Sequence, residues 1–463
     1  MKNSRRGGEP SSHLLLTQPL WTLLLLALLM VGNAWSREGK PNVIIIYTDD
    51  QGTVDAGCYG AEDLETPGID RLAATGIRFT QFYAPAPVCS PSRAGMLTGK
   101  YPVNAGVPGN VSSRPGNPGM PAEQLTLAEL LKGAGYATAH IGKWHLGYTP
   151  ETMPNAQGFD HSFGHMGGCI DNYSHYFYWA GPNRHDLHRN GKEVFHDGSY
   201  FPDLMVKEAG EFMEAHQDEP FFIYFAMNAP HYPYQGEAAW LAKYRAAGVP
   251  SPRDLYAAFL SSLDARIGLL VDRLEALGLR EDTIIIMQSD HGHSMEERAH
   301  FGGGSAGPYR GAKFSMFEGG LRVPAIISWP GHLEEGAVRD QLSHGSDWFP
   351  TIAALCNVSL PITPIDGMSL VPVLRDAKAP TPHKVLHWAT KHGKGYQWAV
   401  REGDWKLIGN PRDPSAPKGT PLPKHMLVNL AKDPGERTNL VETDPDQFAA
   451  LKALHEAWFS QLL

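Results

Sequence analysis

The sequence predicts an α/β fold, with a large, mostly parallel β-sheet sandwiched by helices and then a small C-terminal antiparallel sheet with a closing helix. Two apolar runs rich in β-branched residues, 42–48 and 283–289, are typical of strands buried on both faces of a parallel sheet. Helix-like and strand-like segments alternate around these runs. Beyond about residue 375 short alternating strands take over, which indicates the smaller sheet.

In chain order, the other elements fit this architecture. Thr66-Pro67 is a helix-start signal and Gly76 a stop signal, so a helix is predicted over 66–76. The apolar pattern of the main domain predicts further helices over 125–133 and 254–277, and strands over 77–83, 135–141, 221–227 and 324–329. The C-terminal pattern predicts strands over 385–388, 397–401 and 405–408, a loop over 410–424 and a helix over 445–462. We therefore expect a main domain over 37–375 and a small α+β subdomain over 376–463.

The N-terminus has the features of a signal peptide over 1–36. Lys2, Arg5 and Arg6 precede an apolar run, 20–31, and a small-residue stretch that suits cleavage follows it. The run is too short to span a membrane comfortably, and no other apolar stretch is long enough. We therefore expect an exported protein, periplasmic or secreted, with no membrane span in the mature chain.

The overall charge excludes one class of partner. The formal net charge is −9, whereas nucleic-acid binding calls for clustered Lys and Arg, so we expect no nucleic-acid partner. An anionic substrate would have to be held by local cations and not by the field of the whole protein.

Residues 89–99, Cys-Ser-Pro-Ser-Arg-Ala-Gly-Met-Leu-Thr-Gly, follow a predicted strand and a Pro-rich turn. They have the pattern of a helix start, where free N–H groups and the helix dipole favour an anion at Cys89. Arg93 adds a cation one turn later. Taken alone, Cys89 fits a small buried side chain at a helix start equally well.

Two strands of the predicted parallel sheet end in possible metal ligands. Asp49-Asp50 follows the strand over 42–48, and Asp290-His291 follows the strand over 283–289. Adjacent carboxylates at the end of a buried strand are costly unless a cation neutralises them. Open α/β sheets bind their ligands at this edge, so a cation site is predicted there; a solvated loop is the alternative.

Three further stretches place basic side chains before or after predicted strands. Lys143 and His145 are two residues apart in extended chain, so they face the same way and can reach one pocket. His231 follows the strand over 221–227, and Lys313 precedes the strand over 324–329.

Together these stretches resemble the type I, formylglycine-dependent sulfatases, which are arylsulfatase-like members of the alkaline-phosphatase-like superfamily. The resemblance rests on motifs in the family's order and runs from Pro41 to the end of the chain. These motifs are Cys-x-Pro-x-Arg at 89–93, Gly-Lys-Trp-His-Leu-Gly at 142–147, the Lys-bearing stretch at 311–324, and the tail segments at 401–407 and 433–436.

The resemblance implies that a maturation enzyme oxidises Cys89 to Cα-formylglycine (3-oxoalanine), whose hydrate attacks sulfur. It also implies one divalent cation, usually calcium, because oxygen ligands suit calcium. His291 departs from the commonest family pattern, which has Asn there, so magnesium or manganese stay open. The implied ligands are Asp49, Asp50, residue 89, Asp290 and His291.

The resemblance assigns the basic residues to the sulfate group. Arg93, Lys143 and Lys313 would clamp the sulfate oxygens. His231 would protonate the leaving oxygen, and His145 would take the proton of the hydrate's second hydroxyl. Ser174 and His175 resemble a family stretch that lines the substrate pocket; an ordinary surface loop is the alternative.

The sequence therefore predicts an exported sulfatase that cleaves sulfate monoesters of a sulfated carbohydrate or a small molecule. One alternative is a phosphonate or phosphodiester hydrolase of the same superfamily. Another is a glycan-binding protein that kept the fold and lost the reaction. If Cys89 is oxidised, Cys58, Cys169 and Cys356 remain, which leaves room for at most one disulfide.

Overall fold

The main sheet is centred on β1, whose seven residues are all buried between two neighbouring parallel strands. The computed structural model describes residues 40–179 and 181–462, so the predicted signal peptide lies outside the described residues. The strands are β1 (Asn42–Thr48), β2 (Gly76–Phe79), β3 (Phe82–Tyr83), β4 (Ala137–Lys143), β5 (His161–His165), β6 (Tyr176–Phe177), β7 (Arg184–His185), β8 (His188–Arg189), β9 (Lys192–Glu193), β10 (Phe221–Ala226), β11 (Thr283–Ser289), β12 (Ala325–Ser328), β13 (Ala337–Arg339), β14 (Ser343–His344), β15 (Val385–His392), β16 (Gly395–Glu402), β17 (Trp405–Gly409) and β18 (His425–Asn429).

The helices cover both faces of this sheet and close the C-terminal part. They are α1 (Pro67–Ala74), α2 (Cys89–Thr98), α3 (Leu127–Gly133), α4 (Phe201–Ala215), α5 (Ala238–Ala246), α6 (Arg253–Ala276), α7 (Glu318–Leu321), α8 (Trp348–Leu355), α9 (Val371–Arg375) and α10 (Pro445–Phe459). Short 3-10 turns lie at Gly57–Tyr59, Pro154–Gln157, Glu297–Ala299 and Gly345–Asp347.

The predicted α/β fold is confirmed, with a parallel centre and mixed edges. The main sheet has ten strands in the order β13-β2-β12-β11-β1-β10-β4-β5-β8-β9. The five strands from β11 to β5 run parallel, whereas β12 pairs antiparallel with both β11 and β2. The predicted ligand residues after β1 and β11 therefore follow strands of the parallel part of the sheet.

Side-chain alternation along β1 builds the core on both faces. Ile44 and Ile46 pack towards α1, α4 and α6, whereas Val43, Ile45 and Tyr47 pack towards α2, α3 and α8. Both sets are fully buried, which explains why the run is apolar without a polar face.

The prediction of one continuous strand over 77–83 was wrong, because this stretch forms two strands. β2 ends at Phe79, and β3 pairs with β14 in a separate two-stranded sheet. The chain leaves the main sheet because Thr80 N–H donates to the carbonyl of Arg339, and the Thr80 carbonyl accepts from Arg322. Both partners are distant in sequence.

The C-terminal sheet is antiparallel in the order β15-β16-β17-β18, with α10 against β16 and β17. The sequence did not predict its fourth strand, β18. Trp388 and Ile408 of this sheet share a buried cluster with Phe317 and Leu321 of the main domain. At the same junction Lys406 is fully buried between Glu318 and Glu436, with Nζ–Oε1 distances of 2.9 and 3.0 Å.

Two expectations from the sequence concern the whole chain. Among residues 40–179 and 181–462, no helix is long and apolar enough to cross a membrane. All four cysteines, Cys58, Cys89, Cys169 and Cys356, are free thiols, so the one disulfide that the sequence allowed is not formed.

Candidate active site

The predicted ligand residues meet at the carboxyl edge of the parallel sheet. β1 and β11 are paired neighbours in register, so Asp49-Asp50 and Asp290-His291 leave the sheet side by side. Cys89 begins α2 above them. One ligand atom from each of Asp49, Asp50, Cys89 and His291 lies within 4.8 Å of the other three, and all four residues are buried.

The backbone at Asp50 allows both adjacent carboxylates to face the same site. Successive side chains of a strand point to opposite faces, but Asp50 has a left-handed φ of 63°. Such a conformation costs about 1–3 kcal/mol for a residue with a Cβ. The Asp50 N–H donates to Oδ1 of Asp290 at 3.2 Å, which helps to hold the turn.

Two of the predicted cations lie beneath this cluster. Lys143, the last residue of β4, places Nζ 2.6 Å from Oδ2 of Asp49. The Arg93 guanidinium donates to Oδ2 of Asp290 at 3.1 Å and to the carbonyl of Lys143 at 3.2 Å. All of these side chains are fully buried, so each carboxylate is held by a cation and not by water.

The third cation, Lys313, reaches the cluster from the loop before α7. Its Nζ lies 3.0 Å from the Asp50 carboxylate and 3.5 Å from Oε2 of Glu296. Unlike Arg93 and Lys143, Lys313 also lines the open cleft above the cluster.

The pKa values of the two adjacent carboxyl groups, Asp49 and Asp50, are shifted in opposite directions. Burial raises the pKa of Asp49, but the cations around it, Lys143 foremost, outweigh burial and hold the pKa well below its usual range. Burial dominates at Asp50 and raises its pKa to about 8, with Lys313 opposing the shift and Asp49 adding to it. Asp49 is therefore anionic, whereas Asp50 needs a further positive charge to ionise at neutral pH.

The pKa values of the Cys89 thiol and the His291 imidazole are shifted in the directions that favour their charged forms. Burial raises the pKa of Cys89, but Lys143 and Lys313 outweigh it and bring the pKa well below the usual range. Burial lowers the pKa of His291, but Asp290 and Cys89 together raise it to about 9.

The residues at this edge fit a divalent cation. Asp50 Oδ1 lies 3.0 Å from Lys313 Nζ, and His291 Nε2 lies 3.5 Å from the same oxygen and 3.4 Å from Oδ1 of Asp290. The His291 Nδ1–H donates to the carbonyl of Gly292 at 2.9 Å, so a bound cation would displace the proton on Nε2 and use the lone pair of that nitrogen. Carboxylate oxygens with one imidazole suit calcium, magnesium or manganese.

Two histidines face the cluster from the cleft. His231 donates from Nδ1 to the carbonyl of Tyr232 at 2.7 Å, and its Nε2 lies 3.7 Å from Oδ2 of Asp50. Burial, with Lys313 adding to it, lowers the pKa of His231 to about 3. The His145 Nε2 lies 3.5 Å from Oγ of Ser113, and burial lowers the pKa of this ring as well.

A cleft of about 770 Å³ opens above these groups. Cys89, His145, His231 and Lys313 form its floor. Its walls are partly aromatic and partly polar, and the sequence did not predict them. They comprise Asn110, Val111, Ser112, Ser113, Arg114, Gly168, Cys169, Phe177, Trp179, Tyr232, Glu296 and Phe314. The one available signal was the aromatic-rich composition of the stretch after Gly167.

Ser174 and His175, predicted to line the pocket, lie elsewhere in the same loop. Ser174 Oγ donates to Oδ1 of Asp171 at 2.9 Å, and His175 is buried with Nε2 3.1 Å from the carbonyl of Ser199. Neither residue lines the cleft described above. A role in substrate binding stays a prediction for both.

Known proteins match the chain over nearly its whole length. The family model described as Sulfatase matches residues 41–358, and the model described as N-sulphoglucosamine sulphohydrolase, C-terminal, matches residues 311–460. Human arylsulfatase A is 34% identical, over 93% of this chain and 89% of its own length. Pig N-acetylgalactosamine-6-sulfatase is 32% identical, over 94% and 88%.

The solved structures agree with these sequence matches. The crystal structure of Ps i-CgsB superposes with a TM-score of 0.80 and 30% identity, over 90% of this chain and 92% of that one. The same protein has also been solved in complex with k-i-k-neocarrahexaose.

Proposed function

Because the chain belongs to the sulfatase family, within the alkaline-phosphatase-like superfamily, we propose that it is an exported enzyme that hydrolyses sulfate monoesters of a sulfated carbohydrate. We further propose that residue 89 acts as Cα-formylglycine beside one divalent cation. The observation that carries the proposal is the convergence of Asp49, Asp50, Cys89 and His291 beneath a cleft whose floor also holds Lys313, His145 and His231.

Two features that complete the site would be added after synthesis: the oxidation of Cys89 to the aldehyde by a maturation enzyme, and the binding of a divalent cation. The hydrate of the aldehyde at residue 89 provides a nucleophilic hydroxyl and a second hydroxyl whose deprotonation releases sulfate. Asp49, Asp50, Asp290 and His291 would hold the cation, which would supply the positive charge that lowers the pKa of that hydroxyl. The burial of all three carboxylates, and the Gly292 carbonyl that holds Nδ1–H of His291 and leaves Nε2 facing them, support this assignment.

The remaining residues bind and orient the sulfate group. Lys313 lines the cleft and can offset the charge that develops as the sulfur–oxygen bond breaks. Lys143 and Arg93 hold Asp49 and Asp290 in place from beneath. Their direct contact with sulfate oxygens, expected from the resemblance, stays a prediction.

The two cleft histidines would move protons. The His231 Nδ1–H is held by the Tyr232 carbonyl, so Nε2 faces the site. The negative charge of a bound sulfate would favour a second proton on Nε2, and that proton could then pass to the leaving oxygen. His145 Nδ1 is buried without a hydrogen-bond partner and is free to accept a proton near residue 89.

The walls of the cleft support a carbohydrate as the group that carries the sulfate. Phe177, Trp179 and Tyr232 offer flat apolar faces, and Asn110 and Glu296 offer polar atoms between them. Ps i-CgsB, which is similar to this chain, has been solved in complex with k-i-k-neocarrahexaose.

The test is sulfate release by the chain co-expressed with a formylglycine-generating enzyme. The substrates are an aryl sulfate and a panel of sulfated mono- and oligosaccharides, with an aryl phosphonate in parallel. Cys89→Ala should abolish sulfate release. Cys58→Ala, which removes a thiol outside the cleft, is the matched control and should keep activity.

Each outcome of this assay separates the candidate functions. Release of sulfate that depends on residue 89 supports the proposal. Faster turnover of the phosphonate would favour a phosphonate hydrolase. Binding of sulfated sugars without any turnover, by protein whose residue 89 is the aldehyde, would contradict an enzymatic role.

A further inference from the structure

A second group of potential metal ligands lies in the loop region beside the cleft. His175, His185 and Asp197 each place one ligand atom within 4.8 Å of the other two. The two histidines are buried, and the Asp197 side chain is 71% exposed. None of the three is part of the cluster around Cys89.

The hydrogen bonds of the two histidines fix where their lone pairs lie. His175 Nε2 is 3.1 Å from the carbonyl of Ser199, which only accepts, so the proton is on Nε2 and Nδ1 carries the lone pair. His185 Nδ1 is 3.0 Å from Oε1 of Glu193, so Nε2 carries the lone pair. Both lone-pair nitrogens are buried without a hydrogen-bond partner.

These contacts match the way proteins orient metal-binding histidines. A ligating imidazole usually donates its other N–H to a carboxylate or a backbone carbonyl, and Glu193 and Ser199 provide these two acceptors. His185 Nε2 lies 4.0 Å from Oδ1 of Asp197. Ligand atoms around tetrahedral zinc are about 3.4 Å apart, so this pair of atoms would close by about 0.6 Å, which the exposed Asp197 side chain allows.

The electron-pair donors at this point also favour a cation. Two imidazole lone pairs and a carboxylate converge, and within the described ranges no Lys or Arg forms an ion pair with Asp197. Two nitrogens and one carboxylate oxygen suit zinc better than calcium, which prefers oxygen ligands.

We propose that His175, His185 and Asp197 form a second, structural metal site that binds zinc or a similar transition metal. The site ties the start of β6 to β7, because His175 precedes Tyr176 and His185 pairs with it. Phe177 on β6 and Trp179 just after it line the cleft, so the metal stabilises one wall of the substrate site.

The test counts bound metal in the full chain and does not depend on the proposed function. Cys89→Ala serves as the parent, so that the active-site thiol cannot bind zinc, and calcium is present in excess. Zinc stoichiometry is measured by elemental analysis after dialysis, and cobalt binding by visible absorption. The parent is compared with His185→Gln and Asp197→Asn.

We expect the parent to bind one more equivalent of zinc than either variant. The cobalt absorption of the parent should be missing from both variants. Glu193→Ala, which removes only the acceptor for His185, should weaken zinc binding by about 10–100-fold. His216→Gln is the matched control, because this histidine also contacts a carboxylate, Glu219, but at a separate surface position. It should bind as the parent does.

Equal zinc stoichiometry in the parent, His185→Gln and Asp197→Asn would overturn the proposal. Asp197 is exposed, so its replacement by Asn does not threaten folding, and that variant alone decides the matter. Zinc should also raise the unfolding temperature of the parent and leave that of Asp197→Asn unchanged; a similar rise in both would contradict a site at these residues.

Discussion

The first prediction concerns His140, a buried residue of β4, and its effect on how stability depends on pH. β4 is the strand that positions Lys143. The side chain is fully buried, with ring contacts to Trp144, Phe159 and Tyr224. Burial lowers its pKa from 6.5 to about 3. We predict that His140→Phe, which keeps an aromatic ring in an aromatic pocket, reduces the acid sensitivity of folding.

The sign and the size follow from proton linkage. The unfolded chain protonates this histidine below about pH 6.5, whereas the folded chain does so only near pH 3. Its contribution to stability is therefore complete above pH 6.5 and is lost progressively as the pH falls. At pH 5 the loss is about 1.5 pH units times 1.36 kcal/mol, or about 2 kcal/mol.

The assay is urea unfolding of the wild type and His140→Phe at pH 7.5 and pH 5. Between these conditions the wild type should lose about 2 kcal/mol more than the variant. Other buried histidines contribute equally to both proteins, so the difference isolates His140. His216→Phe at the surface is the matched control and should behave as the wild type. An equal loss in the wild type and His140→Phe would refute the reasoning.

Four further predictions concern the junction, the proton donor, the cation and the cleft wall. Lys406→Met should lower the free energy of unfolding by about 3–5 kcal/mol in urea melts, because Glu318 and Glu436 then stay buried without their shared cation; the exposed Lys384→Met is the control, and an equal effect of the two would contradict this. His231→Gln should lower kcat by about 10²–10⁴-fold on a sugar sulfate and far less on an aryl sulfate with a good leaving group, whereas equal losses would exclude a proton donor. Removal of the metal by a chelator should abolish turnover by the wild type, and excess calcium should restore it. Turnover by Asp50→Asn should not be restored by the same excess of calcium. Turnover that survives the chelator would contradict the cation site. Trp179→Ala should raise KM for a sulfated oligosaccharide and leave kcat near the wild-type value, and a selective loss of kcat would argue against a binding wall.

The convergence of the ligand residues could be predicted because it depends on sheet topology. Asp49-Asp50 and Asp290-His291 follow apolar runs of the same length, and parallel strands end at one edge. Only the left-handed backbone at Asp50 could not be inferred, because the sequence there gives no Gly or Asn signal.

Features that depend on distant partners could not be predicted. The strand-like stretch over 77–83 contains no Gly or Pro, and β2 separates from β3 where Thr80 bonds to Arg339 and Arg322. The antiparallel direction of β12 is likewise a matter of the whole sheet, since a short buried run has the same pattern in either direction.

The loop beside the cleft shows a third limit of sequence reasoning. His175 has a left-handed φ of 60°, and its ring contacts His185 and Phe201. The spacing of Tyr173, Ser174 and His175 does not reveal this turn. Which side chains of an irregular loop face a cleft depends on local backbone geometry that no periodicity encodes.

The central claim is that residue 89 acts as an aldehyde, and one titration tests it directly. The chain is produced with graded amounts of the maturation enzyme, the fraction of aldehyde at residue 89 is measured by peptide mass, and kcat is measured on the same samples. The account predicts that kcat rises in proportion to the aldehyde fraction and extrapolates to zero when residue 89 is entirely thiol. Turnover that does not change with that fraction would contradict it.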